Sequence, residues 1–595
     1  MSGAILMTAC LMTACTTLDN NEDNTDGGTK ESEELEGSEE GVQVLFSHEA
    51  GFHDTRIELT LSSSEPDATV FFTADGSVPC PDGSGTTSVF SDGDLIEIEP
   101  PRPRNGFNHV DVLSVSAIAV TGESSERETS RIFVQTFISG TGVFERFGDE
   151  VLVFALTTDP HGLFDHYDGI FVEGIDRQRW REENPGQSPI PPSPANFNRR
   201  GRESEREVHV EMFDSSGEMH ISQRAGMRVR GGWSRASTQK SIGLIARREY
   251  GDRHTFRFPF FANELDLNDE VIDRYRRIRL RNGGNDRENA TIRDELGHTL
   301  FRQAGLPDTQ SHVPGAVFLN GEYYGAVWVK SPLTENHWAR RYGSISDNFE
   351  ILSECELGLD GEPRAVDDWA EFRELFALPE DESADVGERL TNQANWEEFN
   401  SRVCIDNLML YYAMQLYIAN EDWPGGNMQM WRYFESEESE PIGTRHELLD
   451  GRWRFIAQDI EFAWNLYDRG TVDLNSIETV RTGHNQMGGQ SQLLDALLER
   501  EDMRQKLAET LVELMEGVFA PDNVISTMDS LIALNRNEIR YALEADLFYP
   551  DNEHWPNEFS MQDSQNLIRA FARRRAEYMV RFIYESLGIS VELSG

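Results

Sequence analysis

The sequence predicts a multidomain protein in which a small all-β sandwich precedes a large α+β domain with a helical C-terminal part. A chain of 595 residues is longer than one ordinary hydrophobic core, so two or three domains are expected. Residues 43–138 carry short alternating runs such as RIELTLS, separated by Gly, Ser, Pro and Asp clusters, which is typical of a sandwich. From about residue 150 strand and helix patterns mix, and the C-terminal part has the helical period of about 3.6 residues.

The N-terminus has the pattern of an export signal, in which an apolar run ends in small residues. Leu-Met-Thr-Ala-Cys occurs twice, ending at Cys10 and Cys15, and resembles the lipobox of bacterial lipoproteins. The resemblance implies an export signal over residues 1–15, lipidation of Cys15, and a lipid anchor to the membrane in the bacterial cell envelope, at the outer membrane or the cell surface. A frayed apolar terminus is the alternative. Residues 16–42 have too few apolar side chains to offset their ordering entropy, so a disordered acidic linker is predicted.

The charge composition excludes one class of partner and singles out the lysines. The chain has 105 Asp and Glu against 54 Lys and Arg. A nucleic-acid backbone needs neutralising cations, so no nucleic-acid partner is expected. A strongly acidic surface favours solubility, and a salt-rich habitat is one interpretation of it. Of the 54 basic residues 50 are arginine, and the exceptions are Lys30, Lys240, Lys330 and Lys506.

Cysteine is scarce beyond the N-terminus. Cys80, Cys355 and Cys404 are widely spaced and form neither a zinc motif nor a disulfide framework. At most one disulfide is possible within the body of the chain. Whether Cys355 and Cys404 pair stays open.

The first domain, residues 43–138, contains one recognisable motif. The stretch VFFTADGSVP, from Val70 to Pro79, resembles the signature of the immunoglobulin-like domain found at the C-terminus of chitobiases. The resemblance implies an immunoglobulin-like sandwich that serves as a spacer or accessory module. It does not imply sugar binding.

The second domain is predicted to begin with strands and a helix. Residues 227–250 have the pattern of a strand, a Gly-containing turn and a second strand that carries Lys240. A helix is expected from about Thr291 to near Gly305. Asn320-Gly321, between two apolar runs, is the strongest short-range hairpin signal.

The later part of this domain contains a buried helix and a strand with acidic residues. Residues 403–420 are predicted to form the helix, which leads into the loop EDWPGGN. Residues 452–465 are predicted to form an apolar strand interrupted by Asp459 and Glu461. Residues two apart on a strand share a face, so both carboxylates are expected to point the same way.

Asp422 and Asn427, five residues apart in the EDWPGGN loop, suit phosphoryl transfer. In that reaction a carboxylate orients the attacking hydroxyl and a downstream amide oxygen holds a metal ion, and protein kinases use the same spacing. Asp459 and Glu461 are candidates for the further carboxylate that the metal needs. Lys240, just after RGGWS, is a candidate for phosphate pairing, since a compact ammonium suits that role better than a guanidinium.

Each of these residues also has an ordinary structural interpretation. Asp and Asn are common turn formers, and both flank a Pro-Gly-Gly sequence here. Asp459 could be a strand carboxylate satisfied by arginine, and Lys240 could be a lysine by chance. The order Lys, Asp-x4-Asn, Asp is harder to dismiss than any single residue.

Residues 150–590 resemble the CotH kinase family, the spore coat protein H-like atypical protein kinases. The similarity runs in order through RVRGGWSRASTQKSIGL, HTFRFPFFANELD, LRNGGNDRENATIRDEL, VFLNGEYYGAVW, EDWPGGNMQMW and RWRFIAQDIEFAWN. The resemblance implies an atypical protein-kinase-like fold over residues 150–592. It also implies a transferase that moves the γ-phosphoryl group of ATP, with Mg²⁺ or Mn²⁺, to Ser or Thr of a protein acceptor.

The resemblance also implies roles for individual residues. Asp422 is then the catalytic-loop carboxylate, Asn427 and Asp459 are metal ligands, and Glu461 stands where the family usually has a second Asp. Phosphate binding falls to Lys240 and to a loop whose members are Gly231, Gly232 and Ser234. Glu295, or its neighbour Asp294, is expected to orient Lys240.

The chain departs from the family pattern at three positions. Gln458 replaces a Trp, Glu461 replaces an Asp, and Ser331 stands where the family often has a Glu. A longer Glu side chain shifts its oxygens in a site with strict octahedral demands. Two alternatives to an active protein kinase therefore stay open: a non-catalytic kinase fold kept for surface binding or adhesion, and a phosphotransferase that acts on an envelope glycan. ATP is also scarce outside the cytoplasmic membrane.

Overall fold

The structure of the protein is a computed structural model, which describes residues 41–103, 108–122, 127–251, 253–353, 390–424, 427–434, 446–483, 491–544 and 558–594. The predicted export signal with Cys15, nearly all of the predicted linker, and Cys355 lie outside these residues. Within the described ranges, no helix has both the length and the apolar character needed to cross a membrane.

An all-β unit comes first, as the sequence predicts. Its strands are β1 (Val44–Phe46), β2 (Gly51–His53), β3 (Ile57–Leu59), β4 (Leu61–Ser63), β5 (Thr69–Thr73), β6 (Ser88–Phe90), β7 (Ile96–Ile98), β8 (Asp111–Thr121), β9 (Glu128–Thr129) and β10 (Phe133–Ser139). The largest sheet has the order β2-β10-β8-β5-β6 with β9 beside β8, and β1 pairs with β4 and β3 with β7. Alternation along β8 buries Val115, Ala117 and Ala119 against Phe137 of β10. The immunoglobulin-like character stays a prediction.

A closed barrel follows, in the strand order β11-β12-β13-β14-β17-β19-β18. Its strands are β11 (Leu152–Thr157), β12 (Arg206–Phe213), β13 (Met219–Arg230), β14 (Ser241–Ile245), β17 (Arg277–Arg281), β18 (His312–Leu319) and β19 (Glu322–Lys330), while β15 (Phe256–Arg257) pairs with β16 (Arg274–Tyr275). The interior is filled by alternate residues such as Phe154, Leu244, Leu280 and Val329. The predicted hairpin is confirmed: Asn320 and Gly321 join β18 to β19 with φ of 51° and 85°, the two positive values that a type I′ turn requires.

The rest of the chain is mainly helical. The helices, including two short ones before β12, are α1 (Pro160–Phe164), α2 (Gly174–Glu183), α3 (Arg293–Gln303), α4 (Glu335–Arg341), α5 (Gln393–Arg402), α6 (Ile405–Ile418), α7 (Ser476–Thr482), α8 (Gln492–Leu498), α9 (Glu501–Glu516), α10 (Pro521–Glu544) and α11 (Glu558–Leu587). A three-stranded sheet of β20 (Phe349–Ser353), β21 (Gln429–Tyr433) and β22 (Arg454–Ile456) lies beside them. The predicted buried helix is α6, which is apolar on nearly every face and lies in the largest core cluster.

The predicted strand over residues 452–465 is wrong. β22 ends at Ile456, so Asp459 and Glu461 lie in a loop beyond it and not on one strand face. Asp459 has a φ of 45°, in the left-handed region, which cannot continue a β-ladder. Its carboxylate is therefore aimed by the loop and by tertiary contacts.

The all-β unit packs directly on the barrel. Phe52 and Ile138 from the first meet Val153, Phe213 and Phe318 from the second in one buried cluster. Aromatic and branched side chains give this contact the character of a domain core.

One carboxylate is buried in this contact without a cation to pair with. Glu211 of β12 is fully buried and faces Thr136 of β10, and no cation forms an ion pair with it among the described residues. Burial raises the pKa of Glu211 to about 7, and Thr136 offsets only part of that rise. The contact therefore favours an uncharged Glu211 over an ionised one.

Glu211→Gln is expected to stabilise the protein at alkaline pH. Because the folded pKa lies above the unfolded one, the stabilising contribution of Glu211 is present below about pH 4.5 and is lost as pH rises through 7. The variant should therefore exceed the wild type by about 3 kcal/mol in free energy of unfolding at pH 8 and match it near pH 4. Chemical unfolding at both pH values measures the difference. Glu207→Gln, an exposed glutamate on the same strand, is the control, and an equal pH response in both variants would contradict the assignment.

Candidate active site

The EDWPGGN loop is held against the loop that follows β22. Helix α6 ends at Ile418, whose carbonyl accepts a hydrogen bond from the amide of Trp464 at 3.1 Å. The amide of Glu421 donates to the carbonyl of Phe462, also at 3.1 Å. These backbone bonds bring two segments that are about 40 residues apart in sequence into register.

Asp422 and Asn427, the two candidate residues of the EDWPGGN loop, are hydrogen-bonded to each other. The Asn427 amide nitrogen donates to Oδ2 of Asp422 at 2.9 Å, and Asn427 adopts a left-handed φ of 60°. Burial raises the pKa of Asp422 to about 7, and the nearby Asp459 carboxylate adds to the rise. The predicted residues Asp422, Asn427 and Asp459 are thus neighbours in the fold.

Arg281, at the end of β17, bridges the two carboxylates of the second loop. Its Nη2 donates to Oδ1 of Asp459 at 2.6 Å and to Oε2 of Glu461 at 2.7 Å. Its Nε lies 3.6 Å from Oδ2 of Asp294 on α3. Despite burial, these charges hold the pKa of Arg281 well above its ordinary value. One guanidinium therefore joins a barrel strand, a helix and the loop.

Glu461 is enclosed by the protein on all sides. Its Oε1 accepts the backbone amide of Asn285 at 2.8 Å and the Asn285 side chain at 2.7 Å, while Oε2 contacts Arg281. A Cβ placed on Gly284, which has a φ of 58°, would lie 2.1 Å from Oε2. The turn that holds Glu461 can therefore contain only glycine at this position.

Helix α3 presents two carboxylates to a lysine of the barrel. The Lys330 ammonium on β19 forms ion pairs with Asp294 and, at 2.7 Å, with Glu295, and the three side chains are at most 3% exposed. Burial opposes ionisation of Asp294, but Lys330 and Arg281 hold its pKa well below the usual range. Oδ1 of Asp294 also accepts the amide of Ile460 at 2.7 Å, which ties α3 to the loop.

The first turn of α3 is anchored by Asp286. One carboxylate oxygen of Asp286 accepts the amides of Ile292 and Arg293 at 2.9 and 2.8 Å. These are amides that a helix start leaves without an internal partner. Asp286 thus sets where α3 begins, and with it where Asp294 and Glu295 point.

The buried ion cluster has excess negative charge. Four carboxylates, on Asp294, Glu295, Asp459 and Glu461, face the two cations Arg281 and Lys330. The excess is two charges when all groups are ionised. Burial and the charge of Asp459 accordingly raise the pKa of Glu461, because a further buried anion is unfavourable there. A divalent cation would balance this excess.

The glycine-containing loop predicted to line phosphates joins β13 to β14. Gly231 has a φ of 104°, and a Cβ there would lie 2.3 Å from Oγ of Ser234. Gly232 precedes a short 3₁₀ turn that contains Ser234. Buried Arg235 secures the loop by donating to the carbonyls of Gly231 at 2.8 Å and Val229 at 2.7 Å.

Lys240 lies under this loop and not against helix α3. Its ammonium donates to the carbonyls of Arg235 at 2.7 Å and Ser237 at 3.0 Å and lies 4.5 Å from the centre of the Phe197 ring. No carboxylate pairs with it among the described residues. Burial, with the nearby Arg235 guanidinium, lowers the pKa of Lys240 to about 7.

The prediction that Glu295 or Asp294 orients Lys240 is wrong, since both carboxylates pair with Lys330. The alternation of side chains along β17 and β19 decides which cations reach α3. In the barrel, Arg281 and Lys330 point outward to α3. Lys240 precedes β14, and its ammonium contacts the Phe197 ring and two loop carbonyls instead.

The donor atoms of the site suit a hard divalent cation. Asp459 can offer a carboxylate oxygen and Asn427 an amide oxygen, which are ligand types that Mg²⁺ and Mn²⁺ accept. Both oxygens of Glu461 are already used by Arg281 and Asn285. Within the described residues, sets of three His, Asp or Glu ligand atoms within 4.8 Å of one another occur only at two turns elsewhere. The chemistry therefore fits, but the carboxylates have not converged around a common point.

Two residues central to the site were not among the predicted ones. Lys330 had a signal, because it is one of only 4 lysines. Arg281 had none, because it is one of 50 arginines. Neither lies in a motif whose spacing suggests a contact with Asp459.

The comparison with known proteins agrees with the geometry. A family model described as CotH kinase protein matches residues 227–579, from β13 through most of α11. No curated protein shows significant similarity to the chain. The match covers the predicted catalytic, phosphate-binding and metal-binding residues and excludes Cys15, the all-β unit, β11 and β12.

Lys330→Met is expected to destabilise the fold strongly. Removing the ammonium leaves Asp294 and Glu295 buried without their cation, and breaking a buried pair from one side costs about 3–5 kcal/mol. Lys506→Met is the matched control, because Lys506 forms a 2.6 Å ion pair with an exposed aspartate and should lose about 1 kcal/mol or less. Urea unfolding measures both. Equal losses would contradict the role of Lys330.

Proposed function

The chain belongs to the CotH kinase protein family, and from this membership we propose that it transfers the γ-phosphoryl group of ATP to a Ser or Thr hydroxyl of a protein acceptor. As a member of that family the chain is a kinase-like phosphotransferase. The nucleotide, the metal ion and the acceptor are the proposed part. The observation that carries the proposal is that Asp422 accepts a hydrogen bond from Asn427 and lies near Asp459, which comes from a distant segment of the chain.

In the proposed reaction Asp422 accepts a proton. The bond between the γ-phosphorus and its bridging oxygen breaks, the acceptor oxygen bonds to phosphorus, and the hydroxyl proton passes to Asp422 while ADP leaves. Asn427 supports this role because its amide hydrogen bond fixes the orientation of the Asp422 carboxylate. Asp459 and Asn427 would hold the Mg²⁺ or Mn²⁺, which when bound neutralises charge on the phosphate oxygens.

The glycine-containing loop and Lys240 are proposed to meet the phosphates. Gly231 and Gly232 allow backbone to approach a ligand closely, and Ser234 adds a hydroxyl. Lys240 is buried beneath the same loop, and no described carboxylate balances its charge. A phosphate group would supply that missing negative charge.

The proposed setting is the bacterial cell envelope, where a lipid anchor at Cys15 would hold the protein. A non-catalytic role in surface binding is a second candidate, favoured by one observation. Arg281 already occupies Asp459 and Glu461, as a structural ion pair would. The following assay separates the two functions, because only the first requires transfer.

Asp422→Asn and Asp459→Asn are each expected to lower phosphoryl transfer by about 10²–10⁴-fold, the usual contribution of a positioned acid–base group or charge clamp. The full chain is incubated with labelled ATP and Mn²⁺, alone and with a casein acceptor, and incorporated label is measured. Asp473→Asn, an exposed aspartate beyond the site, is the matched control and should retain full transfer. Nucleotide binding without any transfer by the wild type would favour the non-catalytic function.

Lys240→Met is expected to weaken ATP binding by about tenfold or more, because it removes the cation proposed for the phosphates. Titration calorimetry with ATP measures the affinity, and Lys506→Met is the control. If Lys240 only holds the loop through its bonds to the carbonyls of Arg235 and Ser237, its loss should lower the stability of the protein and leave ATP affinity unchanged. Unchanged ATP affinity with a lower melting temperature would assign Lys240 to holding the loop.

A further inference from the structure

We propose that Arg281 competes with the divalent cation for the Asp459 carboxylate. The Arg281 guanidinium holds the loop after β22 in place until the cation binds Asp459. The inference rests on the proposed function, because it concerns the metal ion of the same site. It adds a residue to which the sequence analysis gave no role, and a regulatory property of metal binding.

The first step of the argument is the position of the guanidinium. A single nitrogen of Arg281 contacts both Asp459 and Glu461, at 2.6 and 2.7 Å. This nitrogen lies between two carboxylates that a bound cation would also approach. Arg281 thus places a positive charge of the protein between the two negative carboxylates of the loop.

The second step is the distance between the competing charges. A cation bound to Asp459 sits about 2.0–2.2 Å from a carboxylate oxygen, which puts it within about 5 Å of the Arg281 nitrogen. Like charges at such a separation repel strongly in a buried site. Arg281 is 9% exposed, so solvent screens the repulsion poorly. When Arg281 and the cation both bind Asp459, their repulsion therefore weakens the binding of each.

The third step is that Arg281 has other acceptors to retain. Its Nε lies 3.6 Å from Asp294, and Glu461 remains fixed by Asn285 and by the turn at Gly284. The guanidinium can thus release Asp459 while it stays bound to Glu461 and close to Asp294. Asp459 is the most exposed carboxylate of the cluster, at 17% of its side chain, and is the one a cation reaches first.

The test compares Mn²⁺ binding by the full-length wild type and Arg281→Gln, without nucleotide. Loss of free-Mn²⁺ signal in electron paramagnetic resonance gives the affinity, and thermal unfolding with and without Mn²⁺ gives a second readout. Arg281→Gln is expected to bind Mn²⁺ about tenfold or more tightly, because a competing unit charge is gone. It should melt at a lower temperature without metal and gain more from Mn²⁺ than the wild type gains.

Three further variants make the result interpretable. Arg279→Gln removes an arginine two residues away on the same strand and should leave Mn²⁺ affinity unchanged. Asp459→Asn should abolish the tightest Mn²⁺ binding, which assigns that ion to this site. If Arg281→Gln fails to fold, Arg281→Lys retains the charge on a shorter side chain, which reaches Asp459 less well, and should raise Mn²⁺ affinity by about threefold.

Two outcomes would overturn the inference, and only the second would also contradict the proposed metal site. Equal or weaker Mn²⁺ binding by the Arg281 variants would mean that Arg281 only orients the carboxylates, and the proposed function would survive. Absence of Mn²⁺ binding in every variant, or an Asp459→Asn variant that binds its tightest Mn²⁺ as the wild type does, would remove the proposed metal site itself.

Discussion

The geometry of the site depends on one guanidinium. Arg281 connects the end of β17 to Asp294 on α3 and to Asp459 and Glu461 in the loop after β22. Strand pairing stops at Ile456, so the ladder does not set the direction of those two carboxylates. Buried ion pairs contribute modestly when formed but cost a great deal when one partner is removed, because the remaining charge has no water. The loop is therefore held by charge.

Backbone strain accompanies this arrangement. Asp459, Trp464, Asn465, Tyr467 and Asp468 all adopt left-handed φ values, which cost non-glycine residues about 1–3 kcal/mol in unsupported settings. Such conformations persist only where surrounding contacts determine them. Here the support comes from backbone hydrogen bonds to the end of α6 and to the EDWPGGN loop, which also bring the predicted catalytic carboxylate beside the predicted metal ligand.

Local patterns predicted the elements well and their tertiary partners poorly. The Asn320-Gly321 turn, the bounds of α3 within two residues and the buried helix α6 follow from turn chemistry, helix stop signals and apolar content. The spacing of Asp422 and Asn427 suggested a role for each residue but did not predict the hydrogen bond between them. The prediction of a strand through Asp459 was wrong because an apolar pattern does not show that one of its residues adopts a left-handed φ.

The prediction that Glu295 or Asp294 pairs with Lys240 was wrong because of the topology of the barrel. Lysine is scarce in this chain, and that scarcity applies to Lys330 as much as to Lys240. The order of the motifs along the sequence favoured Lys240 as the lysine that pairs with the α3 carboxylates. In the folded barrel, β17 leads directly into α3 and pairs with β19, so outward side chains of these two strands are the ones that reach the helix carboxylates. Lys240 precedes β14 and meets only carbonyl oxygens and an aromatic ring. Any anion that Lys240 binds must therefore come from outside the described residues, which is the condition that a phosphate-binding lysine has to meet.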